Sequence, residues 1–255
     1  MKKIAATAFL IFSFQYLIAQ SSDAPLLVKQ GKDMLALMKE EDALEKFKGA
    51  LKSDPNNYEG AWYASLMCSR IGNRQSDETK KKEYFVTAKQ YAVKSLKLNP
   101  TDAESNFVMS VAMGRMALIS GTKEKVAASR DIKNYADLAI KYNPNHAGAW
   151  HVLGKWNYEV SNLNFAERAF ANSLFGGIPD ADINKSIECY IKSISLDPND
   201  ILFYLDLAKA YHNIESDAKA IETLKKAMVL KPRFEDDANY LVQCKKLLDE
   251  LQNPK

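Results

Sequence analysis

The chain has 255 residues, 47% hydrophobic and 26% charged, a balance suited to a globular protein with a substantial core. Its formal charge of +3 falls to +1 once Lys2 and Lys3 are removed with a leader, so there is no bulk attraction for nucleic acid or an anionic membrane. With only 10 Gly and 8 Pro, a sandwich built on many tight turns is excluded, and the abundance of Ala, Leu, Lys and Glu leans helical.

The first element is a leader. Met1-Lys2-Lys3 is a basic head, Ile4 to Ile18 carries no charge, and Ala19 precedes the polar run Gln20-Ser21-Ser22-Asp23. This three-part pattern predicts a secretory signal peptide over residues 1–19, cleaved after Ala19, and an exported protein, periplasmic or extracellular. The apolar run is shorter than the roughly 20 residues a membrane span needs, and Ser13 and Gln15 interrupt it. No transmembrane segment is therefore expected after its removal. The first cysteine is Cys68, so no lipid can be attached at the cleavage point.

Residues 20–255 read as one domain of internal repeats. Five apolar stretches end alike, at Asp54-Pro55, Asn99-Pro100, Asn143-Pro144, Asp197-Pro198 and Lys231-Pro232. Proline cannot continue a helix, and in four cases Asn or Asp follows within two residues as a cap for the next one. Pro198 and Pro232 are 34 residues apart, the tetratricopeptide period. With Pro232 at repeat position 32, Tyr204, Ala208, Ala220, Leu224 and Ala227 take positions 4, 8, 20, 24 and 27. In the first unit Leu27, Gly31, Ala43, Phe47 and Ala50 take the same places. In the fourth, Trp150, Leu153 and Gly154 supply the W-x2-L-G signature. Small residues at 8 and 20 let two helices approach, and large ones at 4 and 24 fill the gaps. The expected fold is an all-α, right-handed tetratricopeptide-repeat solenoid of about five helix pairs.

The three middle units are longer than 34 residues, and the excess is expected between the helices of each pair. In the second it is a polar loop, Gly72 to Asp77; in the third it surrounds Ser120-Gly121-Thr122-Lys123. In the fourth, Leu163 to Phe175 reads as an extra helix closed by Gly176-Gly177-Ile178-Pro179, with Leu163, Ala166, Phe170 and Leu174 along one stripe. A last amphipathic helix, 236–251, is expected to cap the stack through Ala238, Leu241, Val242, Leu247 and Leu248, because the final repeat has no neighbour.

One stretch is more specific than the repeat. His151-Val152-Leu153-Gly154-Lys155-Trp156-Asn157-Tyr158-Glu159-Val160, then Ala166-Glu167-Arg168, Leu174-Phe175-Gly176, Pro179 and Ile187 to Pro198, resembles the regulator of microtubule dynamics protein family, as does Gly121 to Lys125 followed by Ile132-Lys133. The likeness runs from about Leu26 to Leu251 and takes in the insertions. It implies a helical-repeat binding protein without catalytic residues to carry over: some members associate with microtubules, and one tethers membranes through a repeat domain that holds phospholipid. The export signal expected here departs from that family.

Chemistry-bearing motifs are scarce. His146, His151 and His212 are the only histidines, and no HExxH, GxSxG or Walker pattern occurs, so neither catalytic nor metal-binding residues are expected, and no cofactor. His146 and His151 are five residues apart, the wrong spacing for two ligands on one helical face, and His146 is expected to be exposed near a helix start. Cys68, Cys189 and Cys244 form no CxxC pair and read as buried thiols. The aromatic residues Trp62, Phe107, Trp150, Trp156, Tyr204 and Tyr211 read as packing between repeats.

The first helix of each pair should line a concave trough. Arg70 and Arg115 stand at equivalent distances after Pro55 and Pro100, and Lys155 and Lys209 after Pro144 and Pro198. Stacking is expected to align these four cations with Met67, Met109 and Met116 beside them; His151, one turn before Lys155, completes the candidate binding residues. Such a lining suits a carboxylate- or phosphate-bearing ligand with an apolar body. A plainer reading pairs the cations with Glu159 and Asp206. The expected function is an exported, non-catalytic scaffold holding a protein or peptide partner; the alternative is a carrier of anionic phospholipid in the same trough.

Overall fold

The computed structural model describes residues 23–165, 167–169 and 181–253. The expected leader and most of the expected extra helix, Ala166, Phe170 and Leu174 included, lie outside these residues. Every regular element among the described residues is helical: α1 Ala24–Ala36, α2 Glu40–Ser53, α3 Tyr58–Arg74, α4 Glu78–Leu98, α5 Ala103–Leu118, α6 Thr122–Tyr142, α7 Ala147–Ser161, α8 Ile183–Leu196, α9 Ile201–Asn213, α10 Asp217–Ala227 and α11 Asp237–Gln252. Helices α1 to α10 pack as five antiparallel pairs, and each pair stacks on the next. None of the described helices is long and apolar enough to cross a membrane.

The prolines set the rhythm. Two residues after each of Pro55, Pro100, Pro144 and Pro198 stands the cap of the following helix: Asn57 accepts from Gly60 N at 2.7 Å, Asp102 from Glu104 N at 2.8 Å, His146 from Ala149 N at 3.0 Å and Asp200 from Leu202 N at 3.0 Å. The third cap is therefore an imidazole rather than Asn145. Its Nδ1 accepts from the helix, and its Nε2 faces Glu104 Oε2 at 3.2 Å. The His146 side chain is only 10% exposed, against the expectation of an exposed ring. Six residues after three of these prolines a side chain ties back to the proline carbonyl: Asn106 to Pro100 at 3.0 Å, Trp150 to Pro144 at 2.8 Å and Tyr204 to Pro198 at 3.0 Å. Each such bond satisfies a turn carbonyl that has no helical partner.

The small-and-large pairing expected within each unit is visible in its tightest contacts. A Cβ on Gly31 would lie 2.5 Å from the Phe47 ring, and one on Gly154 would lie 2.8 Å from Tyr190. Phe47 and Tyr190 are both fully buried. The first and fifth units, free of insertions, share one turn. Met38 and Glu215, each 17 residues before its proline, take positive φ of 55° and 57°. The following amides close back on the preceding helix, Lys39 N to Met34 O at 3.0 Å and Ser216 N to Tyr211 O at 2.9 Å.

The insertions of the second and third units lengthen helices rather than loops: α4 and α6 run 21 residues each. Gly72, expected in a polar loop, is buried inside α3, because its bare backbone fits against Tyr84 and Phe85 of α4. At the C-terminus α11 caps the stack through Tyr240, Leu241, Cys244, Leu247, Leu248 and Leu251, packed on Ile201, Tyr204 and Leu224. Ala238 and Val242, expected in that contact, are exposed, Val242 by 66%. The helix is rotated so that Tyr240 and Cys244 face inward instead. Cys68, Cys189 and Cys244 are free and buried, and burial pushes their thiols up to about 12, 11 and 11.

Candidate functional site: a mixed-charge trough

The first helices of successive pairs, α1, α3, α5, α7 and α9, neighbour one another along one side of the stack. The expected cations project from α3, α5, α7 and α9, but their surroundings divide the trough into three parts.

At the N-terminal end, Arg70 and Arg74 lie one turn apart on α3. Glu40, the first residue of α2, is 1% exposed and meets Arg70 Nε at 3.1 Å and Arg74 Nη1 at 2.5 Å. The loop before α11 enters the same cluster from the far end of the chain. Glu235 Oε2 lies 2.9 Å and Asp236 Oδ2 3.2 Å from Arg74, Glu235 Oε1 accepts from the Glu40 amide at 2.7 Å, and the Phe234 ring stacks on the Arg70 guanidinium at 3.9 Å. Arg233 fixes the loop by a fork to Asp197, 2.8 and 2.9 Å, and Asp237 accepts from the Arg233 and Phe234 amides. Burial raises the Glu40 carboxyl above its ordinary value despite both arginines. Burial also works against the Arg74 charge, but the hydrogen bond and charge of Glu40, joined by Asp236 and Glu235, raise its pKa.

In the middle, Arg115 Nη1 donates to Asn73 Oδ1 at 2.9 Å, while its Nε is sealed from water with no partner among the described residues. Burial lowers its pKa, and Tyr240 and Asp236 oppose that only in part. Next to it, Gly114 opens on empty space.

Toward the C-terminal end the centre is an acid. Asp206 of α9, 5% exposed, is 3.0 Å from His151 Nε2, 3.9 Å from Lys155 Nζ and 3.8 Å from Lys209 Nζ. Burial alone would raise its carboxyl; Lys155, the His151 hydrogen bond and Lys209 overrule it and hold the group at about 2. Lys155 also pairs with Glu159 at 3.2 Å, and Lys209 reaches Gln243 of α11 at 3.3 Å. The His151 ring stacks on Phe203 with centroids 4.7 Å apart.

The structure thus brings His151, Lys155 and Lys209 together around Asp206, and lets Arg70 and Arg115 feel each other's charge. Of the three expected methionines, Met67 and Met109 are 1% and 4% exposed, in the core, while Met116, beside Arg115 on α5, is half-buried. Sequence reasoning missed Arg74, because Gly72 and Asn73 read as loop; one more helical turn from Arg70 would have found it. Glu40, Glu235 and Asp236 carried no local signal.

The sequence profile of the family described as "Regulator of microtubule dynamics protein 1-3" matches residues 27–252. Regulator of microtubule dynamics protein 1 of Caenorhabditis elegans is 23% identical over 207 residues, covering 81% of this chain and 91% of that protein. The human protein 2 is 24% identical over 216 residues, 83% of this chain but 50% of that protein. The chain spans 42% and 40% of the Xenopus laevis and Mus musculus protein 3. Among solved structures, a thermophilic TPR protein of Thermus thermophilus superposes with a TM-score of 0.64 at 16% identity, covering 88% of this chain and 98% of that one, a likeness of fold alone. The relatives overturn the expectation of a periplasmic or extracellular protein: they are named for microtubule dynamics, and microtubules are polymers of the cell interior. With its profile matched over most of its length, the chain belongs to the regulator of microtubule dynamics protein 1-3 family.

Proposed function

We propose that the chain is a non-catalytic scaffold whose trough holds an acidic segment of a partner protein. The observation that supports this is the chain's own Phe234–Asp236, an aromatic and two acids seated on Arg70 and Arg74. A partner segment of the same chemistry would find the same kind of grip further along, at Arg115, Lys155 and Lys209. Stacked helical repeats present extended concave surfaces suited to such segments. The phospholipid alternative needs an apolar wall beside the cations, and of the three expected methionines only Met116 is left outside the core to supply it.

The test is site-directed photo-crosslinking in the native cell. A crosslinker at Lys155 should give a discrete protein adduct, and one at Val93, exposed on α4, should not. Equal adducts from both positions, or a lipid adduct from Lys155, would sink the reading. The names of the relatives make tubulin the first protein to look for in the adduct.

A further inference from the structure

The two ends of the stack meet at a seam unlike the junctions between successive units. Those units join through packed helices, but none of α1, α2 and α3 packs on α9, α10 or α11. The apolar clusters at the two ends share no residue. What crosses the seam is the loop before α11, with Phe234 over Arg70, Glu235 on Arg74 and the Glu40 amide, and Asp236 on Arg74. Beside these contacts a cavity of about 430 Å³ stays open, between Leu35, Ala36 and Met38 on one side and Pro232, Arg233 and Phe234 on the other. Apolar burial supplies most of the cohesion inside a protein, so a seam of polar contacts beside an unfilled apolar cavity is separable. Each face is also shaped without the other. The Arg233 fork to Asp197 and the Asp237 bonds to the Arg233 and Phe234 amides set the loop from the C-terminal side. On the opposite face Glu40 is held by Arg70 and Arg74, and α2 has no side-chain cap of its own until Glu235 supplies one.

We infer that this seam is an exchangeable interaction surface, on which a partner segment bearing an aromatic residue followed by two acids takes the place of Phe234–Asp236. The surface already shows what it selects: an aromatic face for the Arg70 guanidinium, and carboxylates for Arg74 and the Glu40 amide. Two acids replace two acids, so the charge of the trough is unchanged by the exchange. The side chains of Arg70, Arg74 and Glu235 are partly exposed, which puts the contact within reach of an incoming segment. When the segment enters, the first unit and the loop part, because the loop keeps the form that Asp197 and Asp237 give it. This deepens the scaffold reading and rests on it: the chain's own loop is the resident competitor of the partner's segment.

The probe is a capped fluorescent peptide, Pro-Arg-Phe-Glu-Asp-Asp, the sequence of Pro232 to Asp237, titrated into the full chain. Its control carries Gln-Asn-Asn in place of the three acids. The native chain should bind the probe weakly. The full chain carrying Glu235→Gln and Asp236→Asn, two isosteric changes that disarm the resident loop, should bind it about tenfold more tightly, because a larger fraction of molecules has the surface free. The control peptide should bind neither chain. Adding Arg70→Lys, which keeps the charge and loses the planar face for the aromatic ring, should reverse most of the gain. Spin labels at Leu37→Cys and Val229→Cys, both exposed positions, give a second readout, since the three native cysteines are buried. Excess probe should add a longer distance between the labels. A disarmed chain that binds no more tightly than the native one overturns the inference, as does a label distance that stays fixed while the probe is bound. Either result alongside an intact Lys155 crosslink ends the exchange and leaves the scaffold standing. Exchange without a Lys155 crosslink ends the trough reading and leaves the seam.

Discussion

Two buried carboxylates sit at opposite ends of one trough, and the protein treats them in opposite ways. Glu40 shares two arginines with Glu235 and Asp236, so the acids at that end outnumber the bases, and burial wins: its carboxyl is raised. Asp206 is one acid among His151, Lys155 and Lys209, and the bases win: its carboxyl is held at about 2. Both residues are almost fully enclosed, at 1% and 5% exposed. Burial pushes both upward, and the direction turns on whether the neighbouring bases overcome it.

That contrast can be broken most severely at Arg74. Arg74→Met leaves Glu40, Glu235 and Asp236 crowded around a lost charge and should cost about 3 kcal/mol, read as a lowered denaturant midpoint. Asp206→Asn should cost less, about 2 kcal/mol, because the side chains of Lys155 and Lys209 are 42% and 37% exposed and can turn to water. The same variant tests the acid limb. A carboxyl held below its unfolded value stabilises fully above about pH 4, and that stability is lost as pH falls through about 2; the native chain should show this loss and Asp206→Asn should not. The turns at the two ends allow a matched pair of changes. Met38→Gly and Glu215→Gly should each gain about 1 kcal/mol by relieving a left-handed backbone, and unequal gains would show that the two turns are not equivalent. The smallest effect belongs to Glu40→Gln, a few tenths of a kcal/mol at pH 7. A raised carboxyl carries a stability penalty when ionised that is relieved as pH falls through its folded value, so the neutral amide removes a penalty as well as a bond.

The sequence exposed whatever the chain does within one unit. Prolines, caps two residues later and the Gly31–Phe47 and Gly154–Tyr190 pairs are local matters of dihedral freedom and volume. The equivalent spacing of Arg70 and Arg115, and of Lys155 and Lys209, was legible for the same reason. What each cation meets was not. Glu40 stands 34 residues before Arg74, and Glu235 lies 195 residues from the Glu40 amide, so no periodicity connects them. The end of α3 was misread because Gly72 and Asn73 carry a loop composition, while the contact with Tyr84 and Phe85 that keeps them helical belongs to another helix.

The bond between the Glu40 amide and Glu235 has a consequence for how the molecule comes apart. An open stack of repeats frays from its outermost members, each held by one neighbour only. Here the opening unit is braced by the closing one, so neither extremity is a loose edge. Melting should proceed as a single step, and trimming the tail from Phe234 onward should loosen a hairpin nearly two hundred residues upstream.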